Sequence, residues 1–191
     1  ENRGIVVGMK TFSKILVPGA RVGWIIARPE IIGKLVTAKQ AMDLCTNVFA
    51  QKWLYEYLRT GKLDALIQHT CDIYREKRNY MVEMFKKHLP KRWDLRWTEP
   101  EGGLFLWLSL PKHIDTDKMI HKAVEKKVAY VVGSAFYFDE PEHNAMRINF
   151  SYSSMAQIEE GVKRLAAVIA EEIAAHEAGP RGQTLPEGIL A

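Results

Sequence analysis

TFSKILVPGARVGW, Thr11 to Trp24, is the stretch on which the reading of the whole chain turns. Lys14 stands seven residues before Arg21, with Pro18-Gly19 between them and two hydroxyls, Thr11 and Ser13, flanking Phe12. Neither cation needs such neighbours to be a solvated surface charge. A lysine amine becomes a useful nucleophile when it meets a carbonyl and forms a Schiff base. An arginine fork matches phosphate oxygens, and hydroxyls and backbone N–H groups complete an anion site. The plain alternative is surface text around a Pro-Gly turn. Arg21 fits that alternative less well, because it opens an apolar strand where an unpaired charge is costly.

One cofactor combines an aldehyde with a phosphate: pyridoxal phosphate. Lys14 would take the aldehyde, and Thr11, Ser13 and Arg21 would hold the phosphate. Gly19 lets the backbone turn closely, and Gly23 keeps one face of the next strand open. The flanking text predicts a strand–loop–strand frame. Ile5–Gly8 reads as a short strand, and the β-branched run Ala20–Ala27 as a second, buried one.

Pro29 then opens a helix, EIIGKLVTAKQAM, at a position where proline fits. VFAQKWLYEYLRTG is another helix, stopped at Gly61. From Leu63 to about Leu89 the apolar positions (among them Leu66, Ile67, Tyr74, Met81, Phe85) predict one long helix of about 40 Å, ended by Pro90. Two strands follow around Gly102-Gly103. DTDKMIHKAVEKK is a helix capped by Asp115 or Thr116. VAYVVG and AMRINFSY are strands. Ser154 and Gln157 form a capping box for a last helix, with Ile158, Val162, Leu165, Ile169 and Ile173 as its apolar stripe. The expected organisation is an α/β piece over residues 1–62, a linking helix over 63–91, a small α+β domain over 92–178 and a loose tail over 179–191.

Composition sets the bounds. The 191 residues are 47% hydrophobic and 26% charged, the mix of an ordinary globular protein. A net charge of +4, with bases scattered among acids, gives no basis for a nucleic-acid surface. Cys45 and Cys71 form no CxxC or zinc spacing, which suits a reduced, cytoplasmic setting. No run approaches a membrane span. The six histidines show no ligand spacing, so no metal is expected.

The stretch 11–24 resembles the lysine signature of class I/II aminotransferases, the fold-type-I pyridoxal-phosphate enzymes. The loop between Lys14 and Arg21 is similar to that of the branch with 2-aminoadipate, aromatic and kynurenine aminotransferases. AKQAMDLCTNVFAQ, PEGGLFLWLSLP and VAYVVGSAFYFDEPEHNAMRINFSY resemble later segments of that branch, in the same order, so the similarity covers about residues 5 to 170. One departure is Val131-Val132-Gly133, where the family pattern has proline before the glycine.

The resemblance implies transamination between an L-amino acid and a 2-oxo acid. Lys14 would carry the cofactor and move the Cα proton, and Arg147 would grip the substrate's α-carboxylate. Arg147 lies in apolar MRINF, where the residues alone leave open a clamp or a salt bridge to an Asp or Glu. Phe136 and Tyr137 would line the substrate mouth or pack in the core or at the rim, and Glu101 reads as turn text. The resemblance places the aspartate that pairs with the cofactor's ring nitrogen upstream of the lysine, beyond the thirteen residues before Lys14. It therefore implies the C-terminal half of such an enzyme: the end of a large parallel-sheet domain, a long helix and a small α+β domain. The partners implied are a missing N-terminal half and a second copy in a homodimer. The runner-up is the aminotransferase-like, ligand-sensing domain of a GntR-type regulator. A third reading keeps the cofactor for β-elimination or decarboxylation.

Overall fold

The computed structural model describes residues 6–178. The predicted tail 179–191 and Ile5 lie outside the described residues. The chain divides into two compact units, one up to Cys71 and one from Asp72.

In the first unit, β1 (Gly8–Thr11) pairs antiparallel with β2 (Gly23–Ile26), in a register that sets Gly8 against Ile26 and Thr11 against Gly23. Both strands depart from expectation. The first lies three residues later than Ile5–Gly8: its pairing with β2 begins at Gly8, and Val6 and Val7 precede the strand. The second is shorter than Ala20–Ala27, because Pro18–Ala20 form a 3₁₀ turn and Arg21 takes a left-handed backbone with φ of 53°. Nor is β2 buried: Trp24, Ile25 and Ile26 are 37%, 41% and 61% exposed. The predicted burial needed a covering layer that the described residues of this unit do not supply. Gly23 has a steric reason, since a Cβ there would sit 2.7 Å from the Lys10 carbonyl oxygen across the strand pair.

The helices follow the sequence closely. Pro29 opens α1 (Pro29–Met42) in its first turn. The Asn47 side chain accepts from the Ala50 N–H at the start of α2 (Val48–Arg59). The 26-residue α3 (Leu63–His88) runs across the boundary at Cys71, with Pro90 just past its end. Cys45 and Cys71 are free and exposed thiols. Among the described residues no helix is long and apolar enough to cross a membrane.

The second unit holds the core. Four antiparallel strands lie in the order β3 (Arg96–Trp97), β4 (Phe105–Ser109), β6 (Ala145–Asn149), β5 (Val131–Val132). Period-two alternation gives this sheet two faces. Leu106 and Leu108 of β4 and Met146 and Ile148 of β6 point into one core with Met81, Met84 and Phe85 of α3. Met119 of α4 (Thr116–Glu125) and Ile158, Val162, Leu165, Ile169 and Ile173 of α5 (Met155–Glu177) complete it. Fully burying one such side chain stabilises the fold by about 1.5–3 kcal/mol. Asp115 caps α4, accepting from the N–H groups of Asp117 and Lys118. The Ser154–Gln157 capping box is present at α5, and Glu159–Lys163 and Glu160–Arg164 pair along it at 2.8 Å each.

Candidate active-site residues

The first unit gathers the residues of the opening stretch in one loop. Three backbone N–H groups, of Ile15, Leu16 and Val17, converge on the Phe12 carbonyl and curl residues 12–17 into a tight turn. Phe12 anchors that turn against Trp24 of β2, ring centroids 4.9 Å apart. The Thr11 hydroxyl lies 2.9 Å from the Ser13 hydroxyl and accepts from the Ser13 N–H at 3.1 Å. Lys14 stands exposed on the turn and makes no hydrogen bond or ion pair among the described residues. The left-handed backbone at Arg21 lets its side chain reach back, and one Nη donates to the Pro18 carbonyl at 3.1 Å. That leaves the rest of the guanidinium without a partner among the described residues. The loop thus presents an unpaired amine, two linked hydroxyls and a largely free guanidinium.

Arg147 belongs to the second unit. It sits on the sheet face opposite the core, directly across from Trp107 of β4 and Val131 of β5. Its guanidinium carbon lies 4.0 Å from the centre of the Phe105 ring and 4.6 Å from that of Phe136. Trp107 meets Phe136 edge to face, centroids 5.7 Å apart. No carboxylate pairs with Arg147 among the described residues, and its Nε is buried with no hydrogen-bond partner. A structural salt bridge is thereby excluded among these residues. Instead an arginine lies in an aromatic slot with hydrogen-bonding capacity unused, which suits a planar carboxylate.

Phe136 is carried by a 3₁₀ turn, Gly133–Phe136, between β5 and β6. Gly133 packs so tightly on β6 that a Cβ would lie 2.6 Å from the Ala145 carbonyl oxygen. The turn therefore forms with valine, rather than proline, ahead of the glycine. Tyr137, 40% exposed, donates to Glu142 at 3.3 Å. Glu101 is exposed, and its carbonyl accepts from Arg78 at 2.7 Å, the turn role expected of it.

The start of α4 holds a cluster that sequence distance hides. The Ser134 hydroxyl lies 2.9 and 2.8 Å from the two Asp117 carboxylate oxygens, and His143 Nδ1 lies 2.8 Å from one of them. Thr116, fully buried, donates its hydroxyl to the carbonyls of His143 and Ala145, 2.8 Å each. Asp115, Asp117 and His143 come within 4.8 Å of one another, a proximity the scattered histidines did not foretell. The contacts of Asp115 are those of helix capping, and it also pairs with Lys118 at 3.1 Å. Burial pushes the Asp115 carboxyl up, but the Lys118 ammonium and the capping N–H groups outweigh it and hold the group below its ordinary value. Burial pushes the Tyr130 hydroxyl up, with the Asp117 charge adding to it, while that hydroxyl donates to the Thr116 carbonyl at 2.7 Å.

The fold and these residues define a class, and comparison with known proteins agrees. Residues 1–165 match the family model of aminotransferase class I and II, and the chain belongs to that family. It is 46% identical over 173 residues to aromatic-amino-acid aminotransferase 1 of Thermococcus litoralis, covering 91% of this chain and 41% of that protein. It is 35% identical over 164 residues to 2-aminoadipate transaminase of Thermus thermophilus, covering 86% and 41%. The crystal structure of Pyrococcus horikoshii kynurenine aminotransferase, with PMP, superposes with a TM-score of 0.84 at 45% identity, over 91% of this chain and 42% of that one. These are the branch and the fold-type-I architecture that the motifs imply. The chain spans about two fifths of the length of each of these relatives.

Proposed function

We propose that the protein carrying this chain is a pyridoxal-phosphate-dependent aminotransferase exchanging an amino group between an L-amino acid and a 2-oxo acid. The observation that carries the reading is the Lys14 loop: a free amine beside the linked Thr11 and Ser13 hydroxyls and a guanidinium with unused N–H groups. This donor set fits a phosphorylated aldehyde, with Lys14 on the carbonyl carbon and Thr11, Ser13 and Arg21 on the phosphate. When bound, pyridoxal phosphate supplies the electron-withdrawing ring that stabilises negative charge at the substrate's Cα.

The chain's own residues do the rest. Arg147 presents a flat donor edge to the substrate carboxylate and fixes how the molecule is oriented. Lys14 Nζ would be the base that takes the Cα proton and gives it up at the carbon that carried the aldehyde, the proton shift that transamination requires. The relatives' names favour an aromatic or aminoadipate-like substrate. The regulator reading has thinner support, with 23% identity to an HTH-type transcriptional regulator of Bacillus subtilis. The proposal includes a homodimer and a cytoplasmic setting, the latter suited by the free thiols. The units described above serve in it as a large-domain part up to about residue 62, a linking helix and a small domain from about residue 92.

The test uses full-length protein purified with pyridoxal phosphate. A yellow protein, a borohydride-stable adduct on the Lys14 peptide, and one-for-one exchange of amino acid and oxo acid are expected. An adduct on another lysine, or a colourless protein indifferent to the cofactor, would overturn the assignment. Cofactor binding without sustained oxo-acid formation would favour the regulator reading instead.

A further inference from the structure

Arg147 gains its geometry from a turn that is itself held from elsewhere. Phe136 forms one wall of the slot, where it meets Trp107 edge to face, but that ring contact does not fasten the turn along the chain. Two contacts do. Gly133 abuts the Ala145 carbonyl at the start of the turn, and Ser134 is hydrogen-bonded to both oxygens of Asp117. Asp117 also meets His143, near the point where the chain re-enters β6. One carboxylate in the first turn of α4 therefore fastens both ends of the excursion from residue 134 to 143. Between those ends the side chains of Phe136, Tyr137 and Phe138 stand exposed, Phe138 completely.

We propose that Asp117 is a positioning residue for substrate binding: through Ser134 it sets Phe136 over Arg147 and so fixes the plane in which the guanidinium meets a carboxylate. This rests on reading Arg147 as the carboxylate clamp. Without the latch, the turn keeps its Gly133 contact and Phe136 its edge-to-face contact with Trp107, but the chain carrying Phe136 is released at Ser134, and the wall over the guanidinium is no longer held in one position. A bidentate contact depends on that plane, so the loss falls on carboxylate binding rather than on proton transfer.

The experiment compares wild type, S134A, S134T, D117N and R147K in the full-length, cofactor-loaded protein. Two measurements are made: steady-state kinetics with an amino acid the wild type turns over, and calorimetric affinity for 3-phenylpropanoate, a carboxylate without an amine. S134A and D117N are expected to raise KM and weaken 3-phenylpropanoate about tenfold, with kcat changed by about twofold or less. S134T, which keeps the hydroxyl, should restore both, and the uncharged 3-phenylpropanamide should bind all variants alike. If R147K leaves KM and affinity at wild-type values, or the wild type does not bind 3-phenylpropanoate, the carboxylate reading falls and the latch with it. If R147K weakens both but S134A and D117N do not, the latch alone is wrong. An equal loss of amide affinity, or no rescue by S134T, would make Asp117 general scaffolding and overturn the proposal. Circular dichroism establishes folding, and S134A decides the matter should D117N not fold.

Discussion

Gly133→Ala isolates the closest backbone approach near Arg147. The added methyl would lie 2.6 Å from the Ala145 carbonyl oxygen, 2.8 Å from its carbon and 3.0 Å from its Cβ. Two of these neighbours are backbone of β6, which is hydrogen-bonded to β4 on one side and β5 on the other. A Cβ–oxygen contact must open to about 3.2 Å, so the turn or the strand has to move by about 0.6 Å in a place with no slack. Overpacking of this kind costs about 1–3 kcal/mol. The assay is urea unfolding of the full-length protein, reading the midpoint at unchanged slope. Gly33→Ala is the matched control. Gly33 lies exposed inside α1 with nothing within 4 Å of the added Cβ. There the substitution should stabilise, by up to about 1 kcal/mol, through helix propensity alone. If G133A proves as stable as wild type to within about 0.5 kcal/mol, the steric argument is wrong and Gly133 has no packing role.

Removing the α5 cap by Ser154→Ala deletes the acceptor of the Gln157 N–H and should cost about 1 kcal/mol in the same assay; no change would mean the capping box is ornamental. Acid should weaken the fold. The hydrogen bond from Arg92 holds Asp94 below its ordinary value of 3.8, and those from Lys86 and Lys163 hold Glu99 and Glu159 below 4.5. Folded values below unfolded ones mean that this stabilisation is complete above the ordinary values and drains away as pH falls through the folded ones. Urea midpoints should be flat from neutrality to about pH 5 and then drop, and a midpoint constant down to pH 3 would contradict this. Arg147→Leu should abolish transamination yet leave urea stability within about 1 kcal/mol of wild type or above it, whereas a loss beyond about 3 kcal/mol would restore the structural salt-bridge reading.

The second unit was legible from the chain because its elements obey local rules. The α5 stripe Ile158, Val162, Leu165, Ile169 and Ile173 is buried throughout, and its cap is the one the Ser154–Gln157 spacing names. The first unit was less legible. The apolar run Ala20–Ala27 promised a buried strand, but Pro18–Gly19 spends its start on a turn and nothing described in that unit covers the rest. Apolar composition reports what a strand would bury, not whether a covering layer is present in the same unit. The loop around Lys14 was readable because its residues are consecutive. The Asp117–Ser134–His143 cluster was not, since its members are 17 and 26 residues from Asp117 and only the fold brings them together.

Arg147 was singled out in the sequence for an incomplete reason. A charge in MRINF looked costly because its immediate neighbours, Met146 and Ile148, are apolar. Alternation answers most of that cost: Met146 and Ile148 face the core, while Arg147 lies on the other face, half-buried. What remains is an imbalance of modest terms. The two aromatic walls contribute about 0.5–2 kcal/mol each as cation–π contacts. The buried Nε without an acceptor costs about 1–3 kcal/mol. The sum lies near zero, so the arrangement gives the fold no reason to prefer arginine over a leucine of similar reach. A guanidinium held between two rings, with its buried Nε unpaired among the described residues, keeps hydrogen-bonding capacity for an anion, which is what the proposed carboxylate clamp requires.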